Sequence, residues 1–222
     1  MQEKVNVIAI DGPAGSGKST VAKGVAEKLG LLYIDTGAMY RALTLKALKQ
    51  NIDLEDEKAL TRLSAKTKIE LKNDNGSLKV LLDGKDVSDE IRELSVSQSV
   101  KYVARIKGVR QNMVVMQRAL AEKSKGAVLE GRDIGTVVFP NAKYKFFLDA
   151  SFEERVKRRF KEFESKRIKG SFGDVKKDVA ERDYTDITRD IAPLKKARDA
   201  HYIDTTLFNI DEVVTSILEN IK

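Results

Sequence analysis

Residues 12–19 read Gly-Pro-Ala-Gly-Ser-Gly-Lys-Ser and satisfy the pattern G-x-x-x-x-G-K-[ST] at every position. The segment before it, VNVIAID at 5–11, is a short β-branched apolar run and predicts a buried parallel strand. After it, Val21, Ala22, Val25, Ala26 and Leu29 recur at helical spacing, and Gly30 is a natural stop. Strand, glycine-rich loop and helix in that order make a cradle for a polyphosphate. Glycines let backbone N–H groups turn inward and approach closely, and the helix contributes its positive end. Gly12, Pro13, Ala14, Gly15, Ser16, Gly17, Lys18, Ser19 and Thr20 are therefore candidate nucleoside triphosphate contacts. Lys18 is expected to reach the terminal phosphates, and the Ser19 hydroxyl to help hold Mg²⁺. The loop leaves the phosphate acceptor open: water, an alcohol and another phosphate all fit.

The rest of the chain predicts an α/β layer fold. Residues 31–34 read as a second strand and 38–50 as a helix. Lys68–Lys72 and Leu78–Asp83 are strand-like, and Asn73-Asp74-Asn75-Gly76 between them is a hairpin signal. An antiparallel hairpin within a parallel α/β chain predicts a small insert at about 64–95. Residues 96–124 look helical with a break near Gly108, and 127–130 and 144–148 read as core strands. Residues 151–167 predict a charged helix; 153–170 hold eight Lys/Arg against four Glu. Gly170-Ser171-Phe172-Gly173 reads as a flexible break whose glycines would act as hinges, with a helix over 174–190 beyond it. A last strand at 201–208 and a helix at 210–221 complete the reading.

Composition narrows the chemistry. The 222 residues contain no cysteine and one histidine, His201, which removes thiolate metal sites, cysteine nucleophiles and histidine metal clusters. No apolar stretch is long enough for a membrane span, and the N-terminus lacks a leader pattern, so a cytoplasmic location is expected. The net charge of +7 suits an anionic partner. Basic tracts interleaved with aromatics are absent, so a nucleic-acid partner is not expected.

Three clusters bear on the acceptor, each with a bland alternative. In Asp35–Arg41, Thr36 and Arg41 suit a phosphate or ribose, or else Asp35 or Thr36 caps a helix while Arg41 is solvated. Glu130–Thr136 puts Arg132 and Asp133 just past a core strand, where open α/β sheets bind ligands, or forms a surface ion pair at a turn. Arg182, Asp186 and Arg189, spaced i, i+4, i+7, share one helix face, either as a phosphoryl clamp or as a salt-bridged solvated face.

Taken together, GPAGSGKST, DTGAMYR, EIR at 90–92, GRDIGTVVFP at 131–140, KFFLDAS at 145–151 and ERDYTDITRDIAPL at 181–194 closely resemble the bacterial cytidylate kinases, over essentially the whole chain. The resemblance implies a P-loop NTPase-type three-layer fold with a five-stranded parallel sheet, a small antiparallel β-containing insert and a helical lid. It implies a core of 1–34, 96–150 and 174–222, an NMP-binding region at 35–95, and a lid at 151–173. The implied reaction moves the γ-phosphate of ATP, with Mg²⁺, onto CMP or dCMP, in a monomer. By position, Arg41 and Arg132 look like ligands of the acceptor phosphate, and Arg110 and Asp133 like readers of cytosine. Arg182 and Asp186 look like sugar and phosphate contacts, and Thr36 and Tyr40 should line the acceptor site. Arg189 resembles a phosphoryl clamp; with Lys18, Arg132 and Arg182 it makes up the implied catalytic set. Arg155, Arg158 and Arg159 are candidate lid arginines. Glu130 stands where aspartate is common in the family, and Lys101 where a hydroxyl residue assists base binding.

Overall fold

The computed structural model describes residues 6–74, 77–165 and 170–221. The Asn75-Gly76 tip of the expected hairpin and residues 166–169 of the expected lid lie outside the described residues. The chain forms two compact units, one of Leu31–Ala127 and the other of Asn6–Gly30 with residues from Val128 onward.

A five-stranded parallel sheet carries the fold. Its strands are β1 (Val7–Asp11), β2 (Leu32–Asp35), β6 (Ala127–Gly131), β7 (Tyr144–Asp149) and β8 (His201–Asp204), in the spatial order β2-β6-β1-β7-β8. All five residues of β1 and all five of β6 are buried, which is why Val7–Ile10 and Ala127–Leu129 read as continuous apolar runs rather than alternating ones. Fully burying Ile8, Ile10, Leu129, Phe146 and Leu148 contributes about 1.5–3 kcal/mol per side chain. Helix α1 (Lys18–Leu29) buries Val21, Ala22, Val25 and Ala26, and Gly30 ends it in the left-handed conformation. The closing helix α8 (Ile210–Glu219) begins in a capping box made by Asn209 and Glu212.

In the Leu31–Ala127 unit, α2 (Thr36–Lys49) is followed by α3 (Glu57–Lys66). A three-stranded antiparallel sheet then pairs β3 (Ile69–Asp74), β4 (Ser77–Leu82) and β5 (Lys85–Asp86). The expected hairpin strands thus pair as read, with Leu71 opposite Val80. The helical stretch expected over 96–124 with a break near Gly108 is two helices, α4 (Leu94–Ala104) and α5 (Lys107–Glu122). The break falls at Arg105-Ile106, and Gly108 lies inside the first turn of α5. Its role is packing: a Cβ there would stand 2.5 Å from two atoms of Thr61 on α3.

Helices α6 (Phe152–Ser165) and α7 (Phe172–Thr188) form an antiparallel arm with its own small core of Val156, Phe163, Val175 and Val179. The expected flexible break at 170–173 is the start of α7. Ser171 Oγ accepts from the Asp174 N–H, Asp174 accepts from the Ser171 N–H, and Gly173 sits within the helix.

Candidate active site

The Gly12–Gly17 loop leaves the C-terminal end of β1 and enters α1. A Cβ on Gly12 would lie 2.0 Å from the Leu148 carbonyl oxygen, so only glycine passes there. Gly17 caps α1 at φ +83 with no side-chain cap, and no acidic residue occupies the first turn. The first-turn N–H groups of a helix have no internal carbonyl to meet. Left without a capping oxygen, they suit an external anion. The Ser16 hydroxyl oxygen is buried with no hydrogen-bond partner among the described residues, a second opening for a polar ligand. Lys18 is buried; its ammonium donates to the Pro13 carbonyl at 3.3 Å and stands 3.8 Å from the buried Glu130 carboxylate of β6. Ser19 and Thr20 are exposed on the first turn of α1.

Because β6 neighbours β1, the Gly131–Gly135 segment lies beside this loop. Asp11, the last residue of β1, joins the two. Its Oδ1 accepts from the Ile134 N–H and its Oδ2 from the Gly135 N–H, both at 2.8 Å. Burial pushes the Asp11 carboxyl up to about 6, against the pull of those two bonds. A π-helical turn, Ile134–Val138, follows at once, a rare geometry frequent at functional sites. Arg132 Nε donates to Asp186 Oδ2 at 2.6 Å. Burial raises the Asp186 carboxyl, but Arg132 outweighs it and holds the group below the usual carboxylate range.

Helix α7 supplies the remaining charges. Arg182 and Asp186 lie on it, but Arg189 does not continue their face: it is the C-cap, in extended conformation. Its guanidinium reaches back to Asp186 at 3.6 Å and to Asp133 at 4.0 Å, and its Nε donates to the Ala192 carbonyl. Arg182 turns instead to Asp178, at 3.1 Å. Burial, then the nearby Arg159 cation, lowers the Arg182 guanidinium pKa. The expected lid arginines fall into different settings. Arg155 is buried, donating to the Ala14 and Ala150 carbonyls and to Asp183. Arg158 donates to Glu154 and twice to Thr205. Arg159 pairs with Glu162 at 2.6 Å and lies 3.9 Å from Asp178.

In the Leu31–Ala127 unit, the bland alternative for Asp35 is realised: its Oδ1 caps α2 by accepting from the Ala38 N–H. Its other oxygen accepts from Arg41 at 3.0 Å, so Arg41 is paired while staying half-buried. Thr36 and Tyr40 are buried on α2, and the buried Arg110 of α5 lies 5.5 Å from the Tyr40 ring centroid. Lys101 is exposed on α4, its ammonium 5.3 Å from the Tyr102 ring.

Asp11, Asp178, Asp183 and Thr205 were not singled out by the sequence. For Asp11 a signal existed, since a carboxylate ending a wholly apolar strand must find partners inside.

The arrangement gathers an anion cradle, a buried lysine and a set of arginines paired with carboxylates. A cytidylate kinase family model matches residues 8–222. A cytidylate kinase of Shouchella clausii is 54% identical, covering 97% of this chain and 95% of its own. One from Geobacillus sp. (strain WCH70) is 53% identical, covering 96% and 94%. Among solved structures, an uncharacterized protein from Eubacterium ventriosum aligns over 98% of both chains with TM-score 0.50 at 14% identity, a likeness of fold alone. Sequence from the phosphate loop to the last helix, on a parallel sheet that presents that loop, gives one conclusion: the chain belongs to the cytidylate kinase family.

Proposed function

We propose that this chain transfers the γ-phosphate of ATP to CMP or dCMP, giving ADP and CDP or dCDP. The family match along residues 8–222, with an intact phosphate loop, carries the reading. A phosphate oxygen is already a competent nucleophile, so catalysis rests on alignment and charge neutralisation rather than on a base. We assign the cradle Gly12–Thr20 to ATP and Lys18 to its terminal phosphates. The residues fit the Mg²⁺ that accompanies ATP: Ser19 offers an exposed hydroxyl at the uncapped start of α1. The ion, when bound, offsets charge on the β- and γ-phosphate oxygens.

For the acceptor, we assign Arg132 to the CMP phosphate, Arg182 and Asp186 to sugar and phosphate, and Arg189 to the transferring phosphoryl group. Their aspartate partners support this, since a guanidinium shaped for carboxylate also suits phosphate. Thr36, Tyr40 and Arg41 are assigned to the acceptor, with 35–95 as the acceptor-binding region. Residues 151–173 are assigned as a lid that excludes water, the competing acceptor. Within it Arg159 is the best phosphoryl contact: its Nε is buried without a hydrogen-bond partner among the described residues, whereas Arg155 and Arg158 are bonded to backbone carbonyls. Asp133 and Arg110 are assigned to the base. A carboxylate accepts from the cytosine N4 amino group but opposes the O4 of uracil. No helix among the described residues is long and apolar enough to cross a membrane; a cytosolic monomer is our reading.

The test is ADP release from MgATP with CMP, dCMP, UMP, AMP, GMP and shikimate as acceptors. CMP should exceed UMP by roughly 5- to 150-fold, the value of one opposed buried polar contact of about 1–3 kcal/mol. Equal rates on CMP and UMP would remove the base-reading pair, and turnover of another acceptor alone would remove the whole acceptor assignment.

A further inference from the structure

Thr205, the residue after β8, is buried at 2% exposure although it lies between a charged strand end and an exposed loop. Its contacts explain the burial. Its Oγ lies 3.1 Å from the Ser16 carbonyl oxygen and 3.0 Å from that of Asp149. A hydroxyl has one hydrogen to give. The Asp149 oxygen already accepts from the Thr205 N–H at 2.7 Å, so the Ser16 carbonyl is the acceptor that the hydroxyl completes. The same Oγ accepts from Arg158 at 2.9 Å, and the Thr205 carbonyl accepts a second N–H of that guanidinium at 2.6 Å. Arg158 is thereby held beside the loop: its Nη1 would stand 3.7 Å from a Cβ on Gly17.

The Ser16 carbonyl belongs to the same planar unit as the Gly17 N–H. In a trans peptide the C=O and N–H point in opposite directions. Fixing the oxygen on Thr205 therefore fixes the Gly17 N–H on the other side. The peptide needs such a restraint, because it is followed by a glycine at φ +83, for which alternative φ values cost little. From this we infer that Thr205 is the positioning residue of the phosphate loop, its hydroxyl aiming the Gly17 N–H at the nucleotide while anchoring Arg158 alongside. The inference rests on the reading of the loop as the ATP site.

The test is calorimetric binding of MgATP to the full chain, with KM for ATP and for CMP measured in parallel, in wild type, T205V, T205S and T205A. Valine keeps the shape and removes the hydroxyl; serine and alanine differ from each other only in that hydroxyl. The expected result is MgATP binding weakened about tenfold in T205V and T205A, the value of one lost buried hydrogen bond. KM for CMP should stay within about twofold of wild type, since the restrained Ser16–Gly17 peptide belongs to the loop read as the ATP site and an interaction with one substrate alone leaves binding of the other in place. T205S should bind MgATP close to wild type. MgATP binding in T205V equal to wild type, or T205S as impaired as T205A, would overturn the inference. If T205V does not fold, the serine–alanine pair decides the point alone. Wild type that fails to bind MgATP would instead overturn the reading of the loop, and the two failures are distinct.

Discussion

A buried cation costs several kcal/mol unless its charge is met, and the two cations given the heaviest duty here are met in different ways. Lys18 folds back on its own loop, with one carbonyl and the Glu130 carboxylate for company. Arg189 sits past the end of α7, wrapped by the Ala192 carbonyl and the carboxylates of Asp186 and Asp133. Ala192 holds a left-handed φ of +51, a strain of about 1–2 kcal/mol in a non-glycine residue. That strain is maintained where its carbonyl fixes the guanidinium. If both cations neutralise the transferring phosphoryl group, K18A and R189A should each lower kcat by about 10³-fold or more. Single-turnover phosphoryl transfer checks this, with thermal melting to separate lost folding from lost chemistry. Near-normal turnover in either variant removes that residue from the transfer step. Legibility at this scale followed distance along the chain. The phosphate loop was readable because its parts are contiguous. The partners of Asp11 and Thr205 were not, because they lie 123 and 189 positions away, even though a carboxylate ending an apolar strand signals that Asp11 needs some.

Elements were legible where burial is two-sided. The largely apolar runs of β1, β6 and β7 came through because both their faces are buried, and the hairpin strands, buried on one face only, came through on the turn residues between them. Helix α3 did not, because only Leu60 and Ser64 of its ten residues are buried, too few to make an apolar stripe. At 170–173 the break read from the glycines is the boundary before α7, where Ser171 and Asp174 form a capping box with aspartate in the place usually held by glutamate or glutamine. The break read near Gly108 is present at Arg105-Ile106, and Gly108 itself is a helix residue kept small by a neighbour on α3. A methyl group there meets Thr61 at 2.5 Å, so G108A should destabilise the Leu31–Ala127 unit by about 1–3 kcal/mol, the usual cost of overpacking. Shortening the neighbour should relieve it. T61A/G108A is expected to recover most of the loss beyond what T61A costs alone, a coupling that urea denaturation of the four-member cycle measures. Strictly additive losses would mean that Gly108 is not held by Thr61.

At the scale of the molecule, the cations behind +7 are scattered along the chain and several of the arginines are already matched with aspartates, so the net charge hinted at anionic substrates without locating them. Asp11 stands apart from those pairs, a buried carboxylate held by two amides. Burial dominates its ionisation and raises it from 3.8 to about 6, with the Asp133 carboxylate adding to the rise and Arg132 opposing it. For a carboxyl raised in the folded state, the contribution to stability is complete below the unfolded value near 3.8. It is lost as pH climbs through about 6, because ionisation is easier in the unfolded chain. A shift of that size corresponds to roughly 3 kcal/mol at about 1.4 kcal/mol per unit. Other carboxylates, Asp186 among them, are shifted downward and act in the reverse sense, so the pH profile of the wild type alone mixes the two. D11N isolates the Asp11 contribution. Its amide stays neutral throughout, and below pH 4 the wild-type carboxyl is neutral as well. The stability of wild type minus that of D11N should therefore fall as pH rises from 4 to 7, most steeply between 4 and 6, in urea unfolding at fixed ionic strength. A difference that rises over that range would mean that the two backbone bonds outweigh burial, and that Asp11 joins β1 to the Gly131–Gly135 segment as a stabilised anion.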